Sequence, residues 1–566
     1  MKKNRLLSEQ TVLIAGALVI GLAAGGVNHL FVTSYESLYH FAVSPFTGAG
    51  AKIFIPLFAG AALLAVISKL PFSPKDLLGF GFPRFVERIN LGSGVIRGRE
   101  AISRAAGSVV ALGFGGSAGQ EGPIAQTGGA IGSMIGERVR LSKTGIRTFI
   151  ACGTAAAIAA TFNAPITGVL FSEEIVLLRN LRSATFIPIV ISSATATALS
   201  YFLGGSTPLF EMPSFQNEAF NMRDLMIFYL PLGVVIGFNA AGFMKIFSVT
   251  EDLFSKIGDR KIRLFIGAAL LGGLSFASPD ILGNGYEHVR DILKGNAPLL
   301  GLAAVALLKP VATCVTVGSG WPGGLFAPAI FMGAAAGGAF AKAASSIFSA
   351  PPNISSVCAT LGMGAFLAAI THAPLTSIFL IIELTQSYQV IVPVMACTVV
   401  SWSLARALTG GSMDMLELKK EGVEISGIEN ENLHSLSVKD VMRTSIETVD
   451  ENTKLRKLIE DIPQSRFTTF PIVDSEGLLS GIVSIQDFRQ WLFQEDLKDL
   501  LLVKEFATLD VTTACPDDNL YDVVKVLGQK PAEILPVVES KGSRKIVGIL
   551  SRRDVIEAYN KAVSSV

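Results

Sequence analysis

The chain has 566 residues, of which 50% are hydrophobic and only 16% are charged, and its formal net charge is +1. Ordinary soluble proteins carry about 25% charged residues, so this composition argues against a wholly soluble protein. The near-neutral charge gives no case for a nucleic-acid partner. The five cysteines lack the spacings of metal sites or disulfide frameworks, and we expect them to be packing residues.

Residues 1–418 contain repeated apolar runs near the roughly 20 residues that a helix needs to span a bilayer. Examples are 11–31, 53–70, 185–204, 226–247 and 389–408, whereas the runs at 105–118 and 356–370 are expected to be too short to cross. A basic start, Met-Lys-Lys-Asn-Arg, precedes the first run, and positive residues favour the cytoplasmic side. We therefore expect an all-α, multi-pass domain in the cell (inner) membrane, with cytoplasmic N- and C-termini.

A glycine-rich stretch occurs twice in this domain, 205 positions apart. Residues 113–123 read GFGGSAGQEGP, and residues 318–328 read GSGWPGGLFAP. Each copy ends in a proline, which suits the first turn of a helix because its missing N–H costs nothing there. Helix N-termini carry partial positive charge and attract anions, so the two copies predict a site for a small anion that needs no lysine.

Glu121 of the first copy stands where the second copy has Phe326. A carboxylate at a helix N-terminus occupies the position that a permeating anion would take, and it must move or be protonated before the anion can pass. Acids within membrane segments are functional by default. We therefore predict that Glu121 is a gate and proton acceptor; the alternative is that it only caps a helix.

The repeat continues downstream with an offset of 209. Residues 163–174, NAPITGVLFSEE, match residues 372–383, HAPLTSIFLIIE, and Gly153 matches Gly362. The two halves run roughly over residues 10–205 and 222–415. Paired interrupted helices in two halves indicate a transport site near the membrane midplane. The alternative is that the glycines only permit close helix packing.

After about residue 416 the chain becomes charge-dense, and residues 419–436 are a predicted linker. A further repeat follows, FPIVD at 470–474 with GIVSIQD at 481–487, and LPVVE at 535–539 with GILSRRD at 548–554. Short β-branched runs, a turn and a Ser-x-x-Asp helix start predict two strand–strand–helix units. The tail is therefore expected to be a soluble α/β module.

The membrane motifs resemble those of the CLC family of chloride channels and chloride/proton exchangers. Residues 119–123 match the family's G-x-E-G-P motif, residues 324–328 match G-x-F-x-P, and residues 78–83 resemble G-S-G-I-P. The resemblance implies that Glu121 is the external gate and that Leu325 and Phe326 bind the central anion, with Phe80 and Gly81 at the same site. It also implies a homodimer with one pore per subunit and two inverted halves.

Three positions depart from the family pattern. Phe80 replaces an anion-contacting serine and has no hydroxyl to donate. Glu174 aligns with the first acid of the family's pair and Ile175 with the second, the proton glutamate, so Glu173 or Glu174 would have to carry the internal proton. Asp414 falls near the pore tyrosine, where an acid would repel anions unless it is protonated or turned away; alternatively, it lies in the linker.

The tail resembles a tandem pair of CBS domains, residues 437–495 and 500–562, which often bind adenine nucleotides. The resemblance implies that Asp487 and Asp554 accept hydrogen bonds from ribose hydroxyls, with Ser484 and Ser551 beside them. The alternative is that both serines are only helix N-caps and that the pair is structural. An adenine nucleotide (ATP, ADP or AMP) is the one cofactor we consider, and none is required for transport.

The sequence thus predicts a CLC-type transporter of chloride or a related small anion, gated by Glu121, with or without proton coupling, and regulated by the CBS pair. The alternatives are a passive CLC-type anion channel, a CBS-bearing divalent-cation transporter and a nucleotide sensor without transport. An enzyme is not expected, because the sequence shows no catalytic triad, metal cluster or phosphate loop.

Overall fold

The protein divides into two compact units, Met1–Ile425 and Ser426–Val566. The computed structural model describes residues 2–70, 73–74, 77–90, 95–178, 183–205, 209–210, 224–351 and 353–423 of the first unit. In the second it describes 436–462, 465, 469–492, 494–509, 511–520, 523, 534–551, 553–555 and 557–558. Residues 424–435 of the predicted linker lie outside the described residues.

The described elements of the first unit are helical. Those of its first half are α1 Lys2–Ala42, α2 Phe54–Ile67, α3 Phe82–Asn90, α4 Gly98–Gly113, α5 Glu121–Arg138, α6 Lys143–Phe162, α7 Pro165–Phe171 and α8 Ser183–Gly204. Those of its second half are α9 Leu230–Ser255, α10 Arg260–Ser275, α11 Tyr286–Leu293, α12 Leu299–Gly318, α13 Phe326–Ser345, α14 Ile354–Thr371, α15 Pro374–Thr385, α16 Ile391–Thr409 and α17 Met413–Lys420. A π-helical turn, Ser172–Val176, continues α7.

Nine helical segments within the described residues are long and apolar enough to cross a membrane. One of them is α14, so the expectation that the run 356–370 is too short was wrong. The helix begins two residues earlier and ends one residue later, because serine and threonine at its ends continue the helical backbone. The helix α4 that covers most of the run 105–118 has 16 residues.

The inner helices of the two halves pack through matched glycines. Gly128 of α5 meets Gly153 of α6, and Gly333 of α13 meets Gly362 of α14. A Cβ atom at any of these four positions would overlap the facing backbone carbonyl. The backbones therefore touch, so these four glycines permit close helix packing. Because α6 and α14 are surrounded by protein, they are almost entirely buried, whereas α1 and α8 expose most of their apolar windows.

The described residues of the second unit form two small β-sheets. In the first sheet, β1 Val449–Asp450 pairs in parallel with β2 Thr469–Val473, which pairs antiparallel with β3 Leu479–Ser484. In the second, β4 Ile534–Val538 pairs antiparallel with β5 Ile546–Ser551. Short helices α18 Leu455–Asp461, α19 Ile485–Phe488 and α20 Glu495–Lys498 accompany the first sheet. The α/β character expected for the tail is confirmed, and β2, β3 and α19 form the predicted strand–strand–helix unit.

Candidate functional site

The two glycine stretches meet in the buried interior of the first unit. Gly119 and Gly324 exchange two backbone hydrogen bonds of 2.7 Å each, as an isolated antiparallel bridge. Gly320 turns the second stretch with a φ of 104°, which a residue with a side chain rarely adopts. Its carbonyl accepts a 2.9 Å hydrogen bond from Gly79 N–H, so the third motif joins the other two. Motifs that are far apart in sequence thus share one small region.

A cavity with about 430 Å³ of empty space, including its open mouth, lies against this bridge. Four helices begin at its wall: Phe82 is the first residue of α3, Glu121 of α5 and Phe326 of α13, and Asp414 is the second residue of α17. The remaining lining residues are Phe80, Gly122, Phe171, Ile175, Gly324, Leu325, Ile370, Thr371 and Met413. No lysine or arginine lines it in the part of the chain that the structure describes. Partial positive charge at the helix N-termini therefore suits the cavity to a small anion.

The Glu121 side chain is fully buried and joins the two halves. Its Oε2 accepts a 3.2 Å hydrogen bond from Ala327 N–H, in the first turn of α13, and its Oε1 accepts a hydrogen bond from the Tyr286 hydroxyl. The carboxylate thus lies at the N-terminus of the second-half helix rather than capping its own helix alone. A free anion would use the same N–H group, so the carboxylate and the anion would compete.

Tyr286 is a contact of Glu121 that the sequence does not predict. Tyr286 is buried and begins α11, directly after Gly285, whose φ is 88°. The Gly-Asn-Gly sequence before it indicated a tight turn, but nothing in the sequence pairs this turn with a residue 165 positions earlier. Only the folded arrangement brings the phenol to the carboxylate.

The loop that delivers Tyr286 is anchored by a buried lysine. Lys309 of α12 is fully buried, and its Nζ donates 2.9 Å hydrogen bonds to the carbonyls of Ile281 and Gly283. Asp280 of the same loop pairs with His288 at 2.8 Å, and this hydrogen bond holds the pKa of the Asp280 carboxyl below its usual value. The hydroxyl partner of Glu121 therefore follows an anchored loop.

The three positions that depart from the family pattern all line the cavity. Phe80 contacts Phe247 with its ring, at a centroid distance of 6.0 Å, and offers no polar group. Ile175 brings an apolar side chain to the same wall. Asp414 is 6% exposed and lies in α17 within the first unit, so the alternative that it belongs to the linker was wrong. Gly81 immediately precedes α3 but is not among the lining residues.

Glu174 and Glu383 each cap a helix in the opposite half of the first unit. Glu174 accepts a 2.8 Å hydrogen bond from Thr376 N–H at the start of α15, and another from the Thr376 hydroxyl. Glu383 accepts bonds of 2.7 Å and 2.6 Å from the corresponding groups of Thr167 at the start of α7. The equal spacing of proline and glutamate in the two repeats therefore encodes a reciprocal pair of helix caps.

Glu173 has a different environment from its neighbour. It is 2% exposed, and neither of its carboxylate oxygens has a hydrogen-bond partner in the described structure. It lies in the π-helical turn, between the capping Glu174 and the end of α7. A buried carboxyl without partners favours its protonated form, because burying an unpaired charge is costly.

In the second unit the predicted serine–aspartate pairs form capping boxes. Asp487 Oδ2 accepts hydrogen bonds from Ser484 N–H at 2.6 Å and from its hydroxyl at 3.0 Å. Asp554 makes the same pair of bonds with Ser551 and also an ion pair with Arg443. Ser484 is thus the N-cap of α19, and Ser551 makes the equivalent bonds with Asp554. Nucleotide binding at Asp487 and Asp554 stays a prediction, and Asp554 has more polar partners than Asp487.

Known protein families match both units. The voltage gated chloride channel model matches residues 59–406, and the CBS domain model matches residues 438–494 and 503–561. The chain belongs to the CLC family. It is a multi-pass membrane protein with a C-terminal pair of CBS domains, and its family is one of channels and transporters rather than of enzymes.

Individual relatives of this CLC chain cover most of it. A ClcB-like protein of Ralstonia nicotianae is 34% identical over 364 residues, which are 63% of this chain and 83% of that protein. The H⁺/Cl⁻ exchange transporter ClcA of Vibrio parahaemolyticus is 32% identical over 418 residues, 71% of this chain and 87% of that protein. The crystal structure of a slow cyanobacterial Cl⁻/H⁺ antiporter matches with a TM-score of 0.66 at 25% identity, covering 72% of this chain and 97% of that one. The predicted family and fold class are confirmed.

Proposed function

We propose that this CLC protein carries chloride or a related small anion across the cell (inner) membrane, through the cavity between α3, α5, α13 and α17, in exchange for protons. Glu121 is the gate: its carboxylate alternates with the anion at the N-terminus of α13. The names of the Vibrio and cyanobacterial relatives, both Cl⁻/H⁺ exchangers, favour the coupled mode. The protein acts as a homodimer with cytoplasmic termini.

The observation that carries this proposal is the hydrogen bond from Ala327 N–H to Glu121. Partial charges of helix ends bind an anion without holding it as tightly as a lysine would, which permits release. A carboxylate in that place blocks the path until it moves or takes up a proton. One group thus couples anion passage to proton movement.

The test is flux in proteoliposomes, with chloride and proton movements recorded together under a chloride gradient. The native protein should move both ions, and Glu121→Gln should move chloride with no coupled protons. Glu287→Gln is the matched control, because Glu287 is an exposed acid next to Tyr286. Cation flux without anion flux would contradict the proposal and favour a divalent-cation transporter.

The second candidate is a passive anion channel, and Ile175 favours it because an isoleucine cannot carry a proton on the cavity wall. Chloride flux with no proton flux in the native protein would establish that mode. In the coupled mode a second acid must receive the proton. Glu174 is engaged as a cap, so Glu173, buried without partners, is the better candidate. Glu173→Gln should then slow proton flux more than Glu174→Gln.

The CBS pair is proposed to regulate transport by binding an adenine nucleotide. Asp487 supports this role better than Asp554. Its cap uses only Oδ2, and its Oδ1 makes no hydrogen bond to any residue that the structure describes, whereas Asp554 also pairs with Arg443. Calorimetry of the full-length protein with ATP, ADP and AMP tests it, and no heat change at millimolar nucleotide would favour a structural pair.

A further inference from the structure

Asp414 is a second carboxyl in the cavity of Glu121, held on a different wall. It is 6% exposed, lines the cavity, and its buried Oδ1 has no hydrogen-bond partner among the described residues. The N-cap of its helix is Ser412, whose hydroxyl accepts the Met415 N–H at 3.4 Å, so Asp414 is not needed as the cap. Buried polar atoms in native proteins nearly always have a hydrogen-bond partner, so the unpaired Oδ1 of Asp414 indicates a role beyond the fold.

The charged groups around Asp414 are engaged elsewhere. α17 packs against α3 and α14, and α14 carries no Asp, Glu, Lys, Arg or His. On α3, Arg84 pairs with Glu87 at 2.8 Å and with Glu421 at 2.7 Å, and Arg88 pairs with Glu100 at 2.7 Å. On α17 itself, Lys420 pairs with Glu417 and Glu251 at 3.0 Å each. The acids near the cavity are Glu121 on its wall and Glu173 beside Ile175. Two further titratable groups are Tyr286, which donates to Glu121, and His372, which directly follows the lining residue Thr371 at the end of α14. Asp414 itself forms no ion pair with any residue that the structure describes.

The chemistry of the two protonation states decides what Asp414 can do. Ionised, it would repel an anion in the same cavity and would carry an unpaired buried charge, which is costly. Protonated, it has an O–H that can donate a hydrogen bond to the anion. An acid with a purely structural role would instead form an ion pair or cap a helix, as Glu174 does.

We propose that Asp414 is an anion-binding residue that works only in its protonated form: its O–H donates to the anion in the cavity, and the proton returns to water as the anion leaves. This inference rests on the proposed function, because it takes the cavity to be the anion site. The ligand is a small anion such as chloride. Binding of the anion and uptake of one proton at Asp414 are then linked events.

The experiment isolates Asp414 by removing the titration of Glu121. Chloride binding to full-length E121Q in detergent is measured by calorimetry from pH 5.5 to 8.5. The apparent affinity should be constant at acid pH and fall as pH rises, approaching roughly tenfold per pH unit at the alkaline end, since only the protonated fraction is competent. The double variants E121Q/D414N and E121Q/D414S should bind with no such slope, because amide and hydroxyl donate at every pH.

E121Q/E417Q is the matched control, since Glu417 is on the same helix but outside the cavity lining, and it should keep the slope. Chloride binding to E121Q that does not change with pH would overturn this inference alone, with no need for a position-414 variant. A slope that survives in E121Q/D414N or E121Q/D414S would overturn it too. No chloride binding or flux in E121Q at any pH would overturn the proposed function, and this inference with it.

Discussion

The Tyr286 hydroxyl donates a hydrogen bond to the Glu121 carboxylate, which in the proposed function occupies the position where the anion binds. A hydrogen bond to a charged group contributes about 1.5–3 kcal/mol, and about 1.4 kcal/mol is a factor of ten in an equilibrium. Tyr286→Phe should therefore weaken the competing carboxylate and make chloride bind at least roughly tenfold more tightly near neutral pH. Calorimetric chloride titration of the full-length protein measures this change.

Tyr201→Phe is the control for that titration. The Tyr201 hydroxyl donates to the Asn163 carbonyl at 3.4 Å, on the exposed side of α8, so its loss should leave chloride affinity unchanged. Equal affinities in the native protein and Tyr286→Phe would contradict the role given to the phenol.

At the scale of single residues, the sequence predicts residues that belong to a contiguous motif, but it does not predict contacts between residues that are distant along the chain. Glu121 was identifiable because its glycine and proline neighbours lie within a few positions. Tyr286 was not, because its contact joins two distant turns through backbone geometry at Gly285. Asp414 was found as a departure from a motif, but its burial without a partner depends on the packing of α17.

The inner helices of each half depend on backbone contact at glycine. Gly153→Ala would place a methyl group against the Gly128 carbonyl, and Gly362→Ala would do the same at Gly333. Overpacking of this kind costs about 1–3 kcal/mol, so both variants should unfold at lower temperature than the native protein in detergent. The unfolding temperatures of the two variants should fall by similar amounts, because the two glycine contacts are equivalent in the two halves.

Gly242→Ala is the matched control, since Gly242 lies in α9 and an added Cβ would meet nothing within 4 Å. Alanine also favours a helix over glycine by about 1 kcal/mol, so this variant should be neutral or slightly more stable. If Gly153→Ala melted at the same temperature as Gly242→Ala, close backbone packing would not be what these glycines supply.

At the scale of elements, the spacing of the repeats predicted contacts between helices, whereas the apolar runs predicted only approximate helix positions. The offset of 209 pairs Gly153 with Gly362 and places Glu174 and Glu383 as reciprocal caps, which follows from two equivalent halves facing each other. The helix ends predicted from the apolar runs were less accurate, as at α14, because serine and threonine interrupt an apolar run without ending the helix. The π-helical turn Ser172–Val176 left no signal in the sequence that we could read.

The first unit as a whole is arranged as a membrane protein requires. Its inner helices are buried and carry the site, and its outer helices expose apolar side chains, such as Phe202, which is 86% exposed. The starts of α3, α5, α13 and α17 line a cavity, which is one condition under which helices can be interrupted at membrane depth. Composition alone predicted this class of fold, whereas the cavity required the pairing of the two halves.

The second unit offers a test of regulation with a built-in control. Ser437 and Asp440 form a capping box like that of Ser484 and Asp487, with the same donors on one carboxylate oxygen. Asp487→Asn should weaken ATP binding to the full-length protein at least about tenfold, as the loss of a charged acceptor for ribose hydroxyls implies, and should remove any nucleotide effect on chloride flux.

Asp440→Asn should lose only a cap, which costs about 1 kcal/mol of stability, and should keep both the nucleotide affinity and the flux response. The comparison separates a ligand contact from a helix cap because the two aspartates share the same local geometry. Equal nucleotide affinities in the two variants would assign Asp487 to capping alone. Nucleotide binding by the CBS pair would then have to use other groups, or the pair would serve only to support the fold.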